Sequence, residues 1–203
     1  FFFTFAKLHI VLFFHFILVK KYYKDFAAFC SSRYEVVLFS SAFSMGYFAF
    51  LRVGEMTTAC GKEGPIMPLI ENVEVTNHNI KIYLASSKTD QLGRGTSIFV
   101  ARQSDVGICP VKLLQEYLKI RPRISGQLYC HFDGSPMTRY QFSGILKQAL
   151  GYIGFDQSKY GTHSFRIGSA TSATMLGFSD EQIKVMGRWS SDTFKSYIRI
   201  PQF

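Results

Sequence analysis

Residues 34–51, YEVVLFSSAFSMGYFAFL, constrain the fold more than any other stretch. Apolar side chains fall on nearly every face of the helix this run would form. Val37, Phe39, Phe43, Phe48 and Leu51 do not collect on one stripe. A helix of that kind is stable only when buried on most sides by other elements. Ser31 or Ser32, with Glu35 behind, offers an N-cap. Gly46 inside the helix costs stability unless another element packs closely there. The run ends in Leu51-Arg52-Val53-Gly54-Glu55. A guanidinium cannot be deprotonated and must find a partner at such a place. Two readings stand level: an Arg52–Glu55 ion pair at a helix end, or an arginine held rigid for a phosphate, with Glu55 orienting a neighbour.

The elements needed to bury that helix follow in order. Residues 72–76, 80–85 and 96–100 alternate apolar and polar between turn residues, which predicts a small three-stranded antiparallel sheet. Lys88 sits at the head of its second hairpin. It is either an ordinary solvated loop lysine or a mobile cation delivered to a site. Pro110 opens a helix with Val111, Leu114 and Leu118 at helical spacing and Tyr117 on the flank. RPRISGQ is a basic loop, residues 128–132 a short extended segment, and Thr138 caps a helix over 139–150. Thr162 caps a helix starting at His163, whose first backbone N–H groups favour an anion. Ser179 caps another, with Ile183, Val185 and Met186 as its core face. A last short helix over 192–200 carries Tyr197. The fold class expected is α+β: a mostly α-helical domain with a small three-stranded antiparallel sheet.

Charge narrows the partner. Lysine and arginine total 23 against 14 acidic residues, a net charge of +9. That balance favours a polyanion, either nucleic acid or an anionic membrane face. The four cysteines, Cys30, Cys60, Cys109 and Cys130, form no C-x-x-C pair or zinc-finger spacing, and no metal is expected. Scattered thiols in such a chain are expected to be reduced and buried. Residues 1–19 are almost wholly apolar but contain Lys7, His9 and His15. A membrane span needs about 20 apolar residues. Three readings stay open for this lead: non-native sequence, a buried helix or a membrane segment.

The chemistry concentrates in residues 160–201. His163 and Arg166 lie a turn apart on one helix face. Gly187-Arg188-Trp189 follows, then Tyr197, whose phenolic oxygen is a candidate nucleophile. Together they suggest a site that binds a phosphodiester and attacks it with tyrosine.

LRVGE, SSKTDQLGRG, THSFRIGSAT, MGRWSS and YIR, in that order, resemble the catalytic domain of the tyrosine recombinases, the phage-integrase family. Each motif alone is weak, but their order and spacing are specific. The wording is most similar to recombinases of eukaryotic mobile elements, the DIRS-type retrotransposons and Cryptons, and of host genes derived from them. The resemblance covers about residues 31–201. It implies the integrase catalytic-domain fold over 31–203, preceded by an apolar lead over 1–30. It implies DNA strand cleavage and rejoining through a 3′-phosphotyrosine at Tyr197. Arg52 and Arg166 match the family's two phosphate-binding arginines. Lys88 matches the hairpin lysine that protonates the leaving 5′-oxygen, and His163 matches the first position of H-x-x-R. The resemblance implies double-stranded DNA as partner, self-association in a dimeric or tetrameric synapse, a nuclear location, no cofactor, and no membrane.

Two departures qualify it. In the family a His or Trp directly after the glycine contacts the phosphate, nine residues before the tyrosine. Here Gly187 and Tyr197 are ten apart. Ungapped spacing selects Arg188, whereas Trp189 needs a one-residue shift; both remain candidates. Family members also carry an N-terminal helical DNA-clamping domain, and nothing before Ser31 is long or basic enough to be one. The chain is therefore expected to be the catalytic half only. With six residues beyond Tyr197, the exchange of that segment between protomers is expected to be missing. The alternative is a domesticated or decayed recombinase that only binds DNA.

Overall fold

A computed structural model describes residues 30–58, 68–86, 93–152 and 154–199. The apolar lead, Cys60 and Lys88 lie outside the described residues. Helix α1 spans Arg33–Phe48. Ser32 Oγ accepts from the Glu35 N–H at 3.2 Å, and Glu35 Oε2 accepts from the Ser31 N–H at 2.7 Å. These bonds satisfy donors that the first helical turn leaves open. Every residue from Val36 to Gly46 is buried, as an all-round apolar helix requires. Two of its buried hydroxyls are paired: Ser41 with Tyr129 at 3.1 Å, and Ser44 donating to the Ile108 carbonyl at 2.7 Å. A Cβ on Gly46 would stand 3.1 Å from Met56 Cε and 3.5 Å from Phe165, so the glycine marks where neighbours close on α1.

The sheet is antiparallel in the order β1-β2-β3, with β1 at Val73–Val75, β2 at Asn79–Leu84 and β3 at Thr96–Ala101. The register pairs Ile80 with Val100 and Ile82 with Ile98. Those residues, with Leu84, form the buried face, while Tyr83 and Phe99 are exposed on the other. Helix α2, Pro110–Ile120, packs against α1 and touches β3. Helix α3 spans Arg139–Tyr152, α4 spans His163–Met175 and α5 spans Asp180–Gly187. A 3-10 turn, Asp192–Tyr197, follows α5 and packs on α4.

The main core joins α1, the inner sheet face, α2, α3 and Phe165 of α4. A second, smaller cluster gathers Phe50, Ala170, Ala173, Ile183 and Phe194, with Trp189 and Tyr197 packed at its edge. Burying each large apolar side chain contributes roughly 1.5–3 kcal/mol.

Four local expectations change. Tyr117 is wholly buried rather than flanking, because its hydroxyl accepts from the Cys130 N–H at 3.0 Å and reaches the Leu128 and Cys130 carbonyls. Arg121, in the basic loop, is also buried. Its guanidinium donates to the carbonyls of Leu128, Pro122, Ile124 and Gln127, so it builds the loop rather than a charged surface. On α5 only Ile183 of the expected core face is buried; Val185 and Met186 are exposed. Thr162 makes no capping bond; instead Ser164 Oγ accepts from the Gly161 N–H at 3.1 Å.

Cys109 and Cys130 are buried free thiols, and Cys30 is a half-buried one. Among the described residues, no helix is long and apolar enough to cross a membrane.

Candidate active site

The site begins where α1 stops. Phe50 adopts a left-handed backbone, φ 51°, which a bulky residue takes only when its surroundings hold it there. Its ring is buried in the smaller cluster and meets Trp189 edge-on at 6.1 Å. Beyond the reversal, Arg52 precedes the 3-10 turn Val53–Glu55. The Arg52 N–H donates to Glu55 Oε2 at 2.7 Å, and Arg52 Nη1 donates to Oε1 at 3.0 Å. Glu55 is 1% exposed, whereas the Arg52 side chain is 21% exposed. The ion-pair reading of Arg52 holds, and the residue also lines a pocket.

Helix α4 supplies the next two residues. Arg166 is 1% exposed. Its Nη1 donates to the Phe50 carbonyl and its Nη2 to the Gly187 carbonyl at 2.9 Å. Its buried Nε has no partner among the described residues. The guanidinium lies 4.2 Å from the centroid of Trp189 and 5.8 Å from that of Tyr197. Burial, then the charges of Arg52 and Arg188, push Arg166 down to about 10, which leaves it protonated at neutral pH. His163, three residues earlier, is exposed.

Helix α5 ends at Gly187, and Arg188 reverses the chain with φ 53° and ψ 49°. Arg188 turns inward: Nη2 donates to Glu55 Oε2 at 2.6 Å, and its two Nη groups face the Ala49 and Phe50 carbonyls at 3.3 Å. Trp189 goes the other way, its ring 5.2 Å from that of Tyr197. The indole lies so close on Gly187 that a Cβ there would fall 1.6 Å from Trp189 Cζ3. The turn carrying Tyr197 is capped by Ser191 and clamped to α5 by Lys184–Asp192 at 3.0 Å and Lys195–Asp180 at 3.2 Å. Tyr197 Oη then lies 3.1 Å from His163 Nε2, the rings edge-to-face.

A pocket of about 600 Å³ opens beside this pair, lined by Arg52, Val53, Gly54, Glu55, Arg139, Thr162, His163 and Arg166. Three helical segments begin on its wall: the Val53 turn, α3 at Arg139 and α4 at His163. Their first backbone N–H groups and the arginines make a strongly anion-attracting surface. A larger cavity, about 890 Å³ between α1 and α2, contains none of the candidates.

The structure thus brings together Arg52, His163, Arg166, Arg188, Trp189 and Tyr197; Lys88 lies outside the described residues. Sequence reasoning missed Arg139. Its guanidinium makes no hydrogen bond or ion pair among the described residues, unlike those of Arg52, Arg166 and Arg188. The available signal was a basic residue directly after the Thr138 cap, one helix before His163.

No family model matches the chain. A curated relative, the integrase/recombinase xerD homolog of Selenomonas ruminantium, is 31% identical over 114 residues, covering 51% of this chain and 32% of the relative. Among solved structures, XerH site-specific recombinase bound to difH substrate aligns over 89% of this chain and 48% of its own, with a TM-score of 0.65 and 17% identity. XerA recombinase aligns over 89% and 58%, with a TM-score of 0.60 and 17% identity. The Tn1549 transposon integrase in complex with circular intermediate DNA aligns over 92% and 61%, with a TM-score of 0.55 and 14% identity. The chain spans about a third of the curated relative's length. It has the catalytic-domain fold of the tyrosine recombinases and, over 51% of its length, is similar in sequence to an integrase/recombinase of that family.

Proposed function

We propose that this chain is the DNA-breaking and -joining domain of a tyrosine recombinase, with Tyr197 as nucleophile. One observation carries the reading: a tyrosine hydroxyl 3.1 Å from a histidine nitrogen, beside a pocket walled by arginines and helix starts. Tyr197 Oη attacks the phosphorus of a DNA phosphodiester, and its proton passes to His163 Nε2. The new bond is a 3′-phosphotyrosine; the bond that breaks is P–O5′, and the leaving 5′-oxygen takes a proton from Lys88. Attack by another 5′-hydroxyl reverses these steps and reseals DNA without an external energy source. Arg52 and Arg166 oppose the charge that gathers on the non-bridging oxygens.

Duplex DNA is the proposed partner, supported by the net charge of +9 and by the DNA complexes of the structural relatives. Assembly as a synapse of several copies, a DIRS- or Crypton-type origin and a nuclear location belong to the same proposal and rest on the motif wording.

The test uses a pool of nicked duplexes, random in sequence around the nick, in which cleavage traps the protein covalently. A second probe carries a 3′-p-nitrophenyl phosphate, whose leaving group departs without protonation. The chain should form a covalent adduct and Tyr197→Phe should not, with DNA affinity retained. Equal adduct formation by Tyr197→Phe would sink the assignment.

A second reading, DNA binding without cleavage, draws on the Arg166 fork, whose Nη groups are held on protein carbonyls. Gel-shift binding with no adduct on either probe selects it.

A further inference from the structure

Arg188 and Trp189 compete on sequence spacing for one place at the phosphate, and the geometry separates them. Glu55 is a buried carboxylate whose two oxygens serve three donors. Oε1 accepts from Arg52 Nη1; Oε2 accepts from the Arg52 N–H and from Arg188 Nη2. The Arg188 side chain is 8% exposed and that of Glu55 2%. A buried ion pair with so short a contact is strongly coupled, and loss of one partner leaves an uncompensated charge. Trp189, by contrast, packs beside both the Arg166 guanidinium and the Tyr197 ring.

We propose that Arg188 is a positioning residue: it neutralises and orients Glu55, so that this carboxylate holds Arg52 at the pocket wall, while Trp189 packs against Arg166 and Tyr197 instead. The left-handed backbone at Arg188 makes the division possible, sending consecutive side chains to opposite sides. The role of Arg52 toward phosphate rests on the function proposed above; the Arg188–Glu55 coupling does not.

The experiment has a DNA arm and a DNA-free arm. In the first, binding of a random-sequence 30-base-pair duplex is followed against NaCl concentration, and adduct formation is timed on the nicked pool. R188M should slow the adduct about 100-fold, as loss of an aligned charge-stabilising donor does, with affinity and salt slope unchanged. R188K, which keeps the charge, should recover about tenfold of that loss. A direct phosphate contact by Arg188 would instead cut the salt slope by about 1 in R188M, and that result overturns the proposal.

In the second arm, thermal midpoints are measured for R188M, E55Q and the double variant. The double variant should lose less stability than the sum of the two single losses, because each single variant already breaks the Arg188–Glu55 pair. Strictly additive losses overturn the coupling. Where R188M yields no folded protein, the cycle runs on the neutral R188Q with the same criterion. If the wild-type chain forms no adduct, the enzyme reading fails while this arm still decides Arg188.

Discussion

Tyr197 Oη lies 3.1 Å from His163 Nε2, across 34 residues of chain. Neither residue is held by its own helix alone. His163 opens α4, and Tyr197 is delivered by a turn that packs on the same helix through Phe194. His163→Ala should therefore lower the rate of adduct formation about 100- to 10,000-fold, the range for a positioned acid–base group. Binding of duplex DNA should be retained. A His163→Ala chain that forms adduct at the wild-type rate would remove histidine from the chemistry.

Lys88 is tested through the leaving group. A bridging sulfur in place of the 5′-oxygen makes a leaving group that departs without a proton. Lys88→Ala should lose activity on the ordinary nicked duplex and regain most of it on the 5′-phosphorothiolate. Equal impairment on both substrates would show that the lysine does something other than donate a proton.

Arg139 lines the pocket, its guanidinium unpaired among the described residues, and a backbone phosphate is the complement the surrounding cations favour. Arg139→Ala should weaken duplex binding about tenfold and reduce the salt slope by about 1. Titrating binding against NaCl measures both, and an unchanged slope would exclude a phosphate contact.

Gly187 has no room for a methyl group beneath Trp189. Gly187→Ala must push the indole off the Arg166 guanidinium, at a cost of about 1–3 kcal/mol. The chain has one tryptophan, so its emission reports this displacement without interference. A red-shifted spectrum and a lower thermal midpoint are expected; an unshifted spectrum would mean that the close packing is not kept in solution.

Asp192 gives the site an acid limit. Its carboxyl is held below its ordinary value of 3.8, first by the hydrogen bond from Lys184, then by the charges of Lys184 and Lys195. Because the folded value lies below the unfolded one, the unfolded chain takes up the proton first as pH falls. The stabilisation is complete above about 4 and is lost as pH drops through the lower folded value. Asp192→Asn should flatten that limb of a thermal-midpoint profile measured between about pH 2 and 5.

Much of this fold is legible in the sequence. The run around Phe39 and Phe43 demanded an enveloped helix, the alternation at Ile80 and Ile82 demanded a strand, and Ser32, Thr138 and Ser179 marked helix starts; all appear. What stayed hidden involves residues whose chemistry and place disagree. Nothing in an apolar run marks Phe50 as left-handed, because only the packing of its ring fixes that backbone. Val185 and Met186 look like core by type yet are exposed, since α5 buries one narrow edge. Arg121 reads as part of a basic loop and Arg188 as a candidate at the phosphate; neither is marked as a buried hub, because that depends on the loop and cap carbonyls that collect around them. Arg139 was invisible as a site residue because its significance arises only when α3 and α4 begin on the same wall.

The division between two cores separates two duties. Arg52 follows directly from the large core, whereas Tyr197 hangs on the small cluster of Phe50, Ala170, Ala173, Ile183 and Phe194. Because Phe50 of that cluster and Gly187 beside it also lend their carbonyls to Arg166, the placement of the tyrosine and of the buried arginine depends on one small patch of packing.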